Sequence, residues 1–370
     1  MRFDLAEASG ALGDLGTFVP LVAALVVLCR LDAGSVLLFA GIYNVVSGFV
    51  FRLPIPVQPM KAIAAVAIAE ALAPGSIVAA GLLAGAVVFV LGVTGLVGAM
   101  ERLVPSPVVR GIQLGVGLKL LIKGVEMVGL GDWSRIDGPG LALVAAAFVL
   151  VTARRPRFPS ALWLLVIGAV AMLAMRPEVL GQLAFGWAGP TLSIPTAEQW
   201  REGFLQGAVP QIPLTLLNSV IAVCALTRDL YPGRAVSTRA MASSVGLMNL
   251  VGCWFGAMPM CHGAGGLAGQ HRFGARTGGS VVMLGVAKLS LAVLFGSSVV
   301  VLLDAYPASI LGVLLCFAGV ELAQPARKAA GAEAWMVVAV TAAGCVFLNT
   351  TAGFLAGITA AMALRVVRPR

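Results

Sequence analysis

Apolar residues run through this chain in long blocks separated by short polar loops. A block of about 20 such residues with few charges is long enough to span a bilayer as a helix. Fourteen segments are expected: 8–29, 33–52, 58–72, 76–100, 105–128, 138–153 and 159–175, then 202–226, 237–256, 262–271, 278–303, 306–323, 331–348 and 350–366. The third segment of each set is cut short. Between the sets lies a polar stretch, Arg176 to Trp200, with Pro177, Pro190 and Pro195. The pattern therefore divides into residues 1–176, a linker at 177–200, and residues 201–370, with no soluble domain expected. The expected fold class is an all-α polytopic membrane protein.

The two halves carry the same interruption. The first reads Gly41-Ile-Tyr-Asn44 through Pro54-Ile-Pro56-Val-Gln58-Pro59-Met-Lys61, and the second reads Gly246-Leu-Met-Asn249 through Pro259-Met-Cys-His262-Gly263-Ala-Gly265-Gly266. Gly41, Asn44 and Pro54 match Gly246, Asn249 and Pro259 in spacing. Paired interruptions in two halves point to a secondary transporter and its binding site. An odd number of spans per half makes the second half enter from the opposite side, which is an inverted repeat. Loop charges agree with cytoplasmic N- and C-termini. The inner loops then hold Arg154, Arg155, Arg157, Arg228, Arg234, Arg239, Arg272, Arg276, Arg327, Lys328, Arg365, Arg368 and Arg370. The outer loops hold mainly Arg30, Lys123, Arg135, Arg176 and Arg201, and the excess inside follows the orientation rule. Twelve full helices with two re-entrant loops give a similar count and stay open as an alternative.

Composition narrows the function. The chain is 59% hydrophobic and 11% charged, so its formal charge of +9 belongs to orienting loops and not to a nucleic-acid-binding face. No cleavable leader is expected, because Met1 to Glu7 is brief and the first apolar run carries polar residues. The six cysteines show no C-x-x-C pairing and read mainly as buried small hydrophobes. There is no phosphate-binding loop of the G-x-x-x-x-G-K-[ST] type, and two histidines without a Cys/His cluster do not make a metal centre. No cofactor, no metal and no enzymatic activity are expected.

The breaks themselves favour an anion. Pro54, Pro56 and Pro59 cannot all lie inside a helix, so 54–58 reads as extended, with Gln58 capping the short helix and Pro59 at its first position. Met258 to Cys261 reads as extended too, and Gly263-Ala264-Gly265-Gly266 opens the second short helix. Both helices then start near the membrane midplane with N-termini facing, where free N–H groups and positive dipole ends attract an anion. Four charge-assisted hydrogen bonds at about 1.5–3 kcal/mol each cover the roughly 8 kcal/mol of micromolar binding. A simple kink is the bland reading, but a kink does not need two copies, each followed by a truncated span.

A second matched pair flanks the breaks: Gly10-Ala-Leu-Gly13-Asp14-Leu-Gly16-Thr17-Phe-Val-Pro20, and Gly203 through Pro210-Gln211-Ile-Pro213-Leu-Thr215-Leu-Leu-Asn218-Ser219. Together with Pro56-Val-Gln58-Pro59-Met-Lys61-Ala and His262-Gly-Ala-Gly-Gly-Leu-Ala-Gly-Gln270-His-Arg272-Phe-Gly274, these motifs resemble the molybdate transporter family, a branch related to the sulfate permeases. The similarity covers essentially the whole chain. The resemblance implies seven plus seven inverted segments in a core and a gate domain, an oxyanion site between the third and tenth segments flanked by the first and eighth, and a homodimer. It departs from many relatives on that fold at Asn218, where a Glu is usual; an amide donates to an oxyanion but carries no proton.

Candidate substrate-binding residues are Thr17, Gln58, Lys61, Gln211, Asn218, Ser219, His262, Gly263, Ala264 and Gly265. Candidates for coupling are Asp14 and Glu321. Each has a plainer reading: Asp14 pairing with a Lys or capping the break, Lys61 snorkelling, His262 packing or capping, Glu321 an end-cap charge. The expected function is a secondary transporter of a tetrahedral oxyanion, most readily molybdate, in a cell membrane. A sulfate or nucleobase-type permease on the same fold, an anion channel and a membrane-embedded enzyme are the competing readings.

Overall fold

The computed structural model describes residues 1–133, 135–153, 158–186 and 189–367. Of the charges used to orient the chain, Arg154, Arg155, Arg157, Arg368 and Arg370 lie outside the described residues.

The first half runs α1 (Leu5–Leu12), α2 (Leu15–Cys29), α3 (Ala33–Phe51), β1 (Val57–Pro59), α4 (Lys61–Glu70), α5 (Pro74–Thr94), α6 (Val97–Leu103), α7 (Ser106–Val128), α8 (Pro139–Ala153) and α9 (Ser160–Met175). The second runs α10 (Ala197–Leu230), α11 (Thr238–Gly252), β2 (Met260–His262), α12 (Ala264–Arg272), α13 (Gly279–Phe295), α14 (Val299–Ala305), α15 (Ala308–Ala323), α16 (Ala332–Phe347) and α17 (Thr350–Val367). Grouping α1 with α2, α6 with α7, and α13 with α14 leaves seven segments on each side. Among the described residues five helices are long and apolar enough to cross a membrane alone, and the α1–α2 pair is a sixth broken span bent by 46°.

Several boundaries differ from the sequence pattern, each for a local reason. The first span breaks at Gly13-Asp14 instead of running unbroken. The fourth ends at Gly95, whose φ of 77° caps α5 in the left-handed conformation, and α6 follows as a separate helix. α10 begins at Ala197, five residues earlier than expected. A capping box starts it: Thr196 accepts from the Gln199 backbone while the Gln199 side chain accepts from the Thr196 backbone.

Inverted symmetry is visible in which helices pack together. The second segment of the first half, α3, lies along the fourth of the second half, α13; α11 lies along α5 in the reciprocal arrangement. A Cβ on Gly41 would stand 2.9 Å from the Gly285 carbonyl oxygen, and one on Gly48 would stand 2.7 Å from that of Gly278. The two fifth segments, α7 and α15, cross the same way, with Gly117 against Gly319 and Gly124 against Gly312; a Cβ on any of the four would stand 2.5 Å from the facing carbonyl oxygen. In lipid, where apolar burial drives little, such backbone-to-backbone approach through small residues is what holds helices together. The core gathers α1–α5 and α10–α14, and the gate gathers α7–α9 and α15–α17. The gate helices turn Leu143, Val144, Leu150, Val151, Val166 and Val170 outward, an inside-out pattern suited to lipid.

Candidate functional site

The two breaks meet. β1 and β2 form an antiparallel pair with Val57 opposite His262, Gln58 opposite Cys261, and Pro59 opposite Met260; Met60 N donates to Pro259 O at 2.8 Å. The matched asparagines explain how a buried extended segment is tolerated. Asn44 Oδ1 accepts from Val57 N at 3.0 Å, and its amide donates to Ala40 O. Asn249 Oδ1 accepts from Met260 N at 2.8 Å, while its amide donates to Met260 O and Val245 O at 2.6 and 2.7 Å. Each ties its own half's strand to the preceding helix, satisfying backbone groups that lipid cannot.

The two half-helices start differently. α4 begins at Lys61 after the cap residue Met60, not at Pro59, because Pro59 is held in the strand pair. Gln58 does not cap it. Gln211 on α10 does: its Oε1 accepts from Ala62 N at 2.9 Å and Ile63 N at 3.1 Å, and its amide donates to Thr215 Oγ1 at 2.9 Å. α12 begins after Gly263, and no side chain caps it. Free N–H groups and the positive dipole end therefore sit at α12, while α4 is closed from within the protein.

α10 carries proline at 210 and 213 without breaking. Wider π turns at Gly203–Ala208 and Thr215–Ile221 flank its central stretch. Such bulges accommodate lost i→i−4 bonds and recur at functional sites. They set Gln211, Asn218 and Ser219 on one side of the helix, where all three line a cavity of about 200 Å³. That is several times the roughly 30 Å³ share of one liquid water. Facing them across the cavity are Gln58, Lys61 and the α12 start at Gly263, Ala264 and Gly265, and Glu321 closes the gate side. Lys61 is the cation of this lining and Glu321 the anion. Thr17 lines a small adjoining space with Lys61 and Glu321.

His262 turns away: its Nε2 pairs with Ser244 Oγ at 2.9 Å, its Nδ1 lies 3.4 Å from Pro56 O, and Phe51 meets it edge-on. Asp14 lies behind the cavity, fully buried. Its Oδ1 accepts a hydrogen bond from Gln58 Nε2, which also donates to Thr17 Oγ1 at 3.2 Å. Sequence reasoning passed over Gln113, a buried polar residue of α7 that lines the cavity from the gate, and Lys288, buried in α13 with its ammonium 3.4 Å from the Phe18 ring centre. Both were visible as polar residues inside membrane segments, the usual flag for function in a membrane.

A family model described as "Molybdate transporter of MFS superfamily" matches residues 6–120 and 203–322. Those two blocks contain both breaks, both flanking motifs and most of the cavity lining. The chain belongs to this family. It is 42% identical to Molybdate transporter 1 of Arabidopsis thaliana over 397 residues, covering 96% of this chain and 87% of that protein. Molybdate transporter 2 of the same plant is 40% identical, covering 97% and 87%; Molybdate transporter 1 of Chlamydomonas reinhardtii is 35% identical, covering 97% and 91%. In fold the chain resembles murine Slc26a9, an anion transporter, with a TM-score of 0.72 at 16% identity over 99% of this chain and 69% of that one. It also resembles the transmembrane domain of the cyanobacterial bicarbonate transporter BicA, with a TM-score of 0.68 at 17% identity over 96% and 98%. The seven-plus-seven core-and-gate architecture is thus that of these anion transporters, although the family description carries the label of a superfamily built from six-helix halves.

Proposed function

We propose that this chain is a secondary transporter that carries molybdate across a cell membrane, with both termini in the cytoplasm. The observation that carries the reading is the uncapped start of α12, facing Lys61 across a cavity set between core and gate. A tetrahedral dianion there accepts hydrogen bonds from the α12 backbone and from the amide of Asn218, while Lys61 supplies one positive charge. Lys61 plus the dipole end offsets much of the dianion's charge, so the site needs no buried arginine. Movement of the core past the gate then exposes the cavity to either side in turn. The names and 35–42% identity of the full-length relatives supply the choice of molybdate; a ring of donors by itself treats sulfate and tungstate much alike. The resemblance further supports a homodimer, which the mass of the purified protein in detergent tests.

Uptake by proteoliposomes containing the purified chain is the test, with labelled molybdate entering against competing sulfate and tungstate. Saturable uptake that tungstate suppresses strongly and sulfate weakly is expected. Uptake blocked equally by sulfate makes the chain a general oxyanion carrier. Linear, unsaturated flux makes it a channel, and no flux of any of the three removes the oxyanion reading.

A further inference from the structure

Three buried polar side chains, Gln58 on the cavity wall with Asp14 and Lys288 beyond it, have atoms left unpaired: Asp14 Oδ2, Gln58 Oε1 and Lys288 Nζ, in side chains between 0% and 4% exposed. We propose, building on the carrier reading above, that Asp14 is the proton-binding residue that couples oxyanion transport to a proton, and that Gln58 relays its state by turning its amide over. Gln58 has one face toward Asp14 and the other toward the cavity. With Asp14 ionised, Gln58 Nε2 is committed to Asp14 Oδ1 and Thr17 Oγ1. The carbonyl Oε1 is then left pointing at Gly263, the cap residue of α12, where a Cβ would collide with it. An acceptor aimed at the mouth of an anion site repels the anion. A proton taken from solvent onto Asp14 reverses this: the carboxylic acid donates to Gln58 Oε1, the amide rotates, and Nε2 becomes a donor directed to the cavity. No bond other than Asp14 O–H forms, and no electrons move.

The surrounding charges push the same way. Lys288 on α13, lying over Phe18, and Lys61 on α4 act on Asp14 from two sides, and the Cys261 thiol of β2 lies close by. Glu321 on α15 faces Thr17 and Lys61 across the small adjoining space. While Asp14 is ionised it balances Lys288; once it is protonated the ammonium is uncompensated and adds positive potential behind a dianion. Gly266 keeps the relay compact, since a Cβ there would stand 2.6 Å from Gln58 Nε2 and 2.8 Å from Asp14 Oδ1. The device occupies a place that Asn218 cannot fill, because an amide holds no exchangeable charge.

Reciprocity between proton and anion binding gives the test. Calorimetric titration of the purified full chain with molybdate, in buffers of different ionisation heat, is expected to show about one proton taken up per anion, and affinity falling up to about tenfold per pH unit as pH rises. Asp14→Asn, a mimic of the protonated residue, is expected to bind with no proton uptake and no pH dependence. In Gln58→Met the relay is absent, and most of the proton uptake is lost; this variant and the unmodified protein decide the matter if Asp14→Asn does not fold. Proton-free binding by the unmodified protein, or proton uptake and pH dependence that survive Asp14→Asn, overturns the proposal while leaving the carrier reading intact. An absence of binding by molybdate, tungstate and sulfate overturns that reading, and this proposal with it.

Discussion

Gln211 sits at the boundary between structure and substrate, and two substitutions separate the roles. Its Oε1 is the acceptor for two buried backbone donors, Ala62 N and Ile63 N, at the start of α4. Gln211→Leu keeps the bulk and removes the acceptor. Leaving each buried N–H unpaired costs about 1–3 kcal/mol, so the pair costs roughly 2–6 kcal/mol, a large part of a typical folding free energy. A lowered melting temperature in detergent and poor recovery of folded protein are expected. Gln211→Glu retains an acceptor for both N–H groups, and a carboxylate at a helix N-terminus is favourable in itself. It therefore folds, but it places a negative charge on the cavity wall. At an effective dielectric constant of about 20 and a separation of about 7 Å, repulsion of a dianion amounts to about 5 kcal/mol, more than a thousandfold in affinity on the scale of about 1.4 kcal/mol per tenfold. Thermal melting and transport assays on the two proteins should give opposite outcomes: Leu unstable, Glu stable but inactive. Wild-type stability in the Leu variant would refute the cap, and wild-type uptake in the Glu variant would refute the position of the anion.

Lys61→Met removes the cation of the cavity lining and should raise the half-saturating oxyanion concentration by roughly 10- to 100-fold, the worth of one charge-assisted hydrogen bond, with folding intact by thermal melting. Asn218→Ala should weaken uptake more mildly, by about 1 kcal/mol or several-fold, again with normal expression. Gly312→Val drives a side chain into α7, where even the Cβ would stand 2.5 Å from Gly124 O; loss of folded protein in size-exclusion chromatography is expected. Glu70 at the end of α4 pairs with Lys119 on α7 and so links core to gate. Glu70→Lys should slow transport by setting like charges together, and the double swap with Lys119→Glu should restore it.

Much of the site was legible in the repeated spacing. Gly41/Asn44/Pro54 and Gly246/Asn249/Pro259 mark the two breaks, and the asparagines prove to be the side chains that pair the buried strand backbone. Spacing shows that two segments match, but not that they hydrogen-bond to each other. The β1–β2 pairing draws Pro59 into a strand and delays α4 to Lys61. The α4 cap was illegible for the same reason: Gln211 lies far along the chain, and only tertiary packing brings it there. Gln58, freed from capping, faces Asp14 instead. His262 looked like a ligand because it stands beside the glycine run, yet a strand directs alternate side chains to opposite faces, and His262 falls on the side of Ser244 and Phe51. The proline pair in α10 served in the sequence only as part of a matched motif; the π turns that absorb it depend on geometry around the whole helix.

In the proposed function the dianion rests on the open end of α12, opposite Lys61. Tungstate scatters X-rays strongly enough to be located by its anomalous signal in crystals of the protein grown with it. One peak is expected in the cavity, within hydrogen-bonding reach of the Ala264 and Gly265 amide nitrogens and close to Lys61. A peak at the α4 end beside Gln211, on the His262 side of the strands, or only at the protein surface would contradict it.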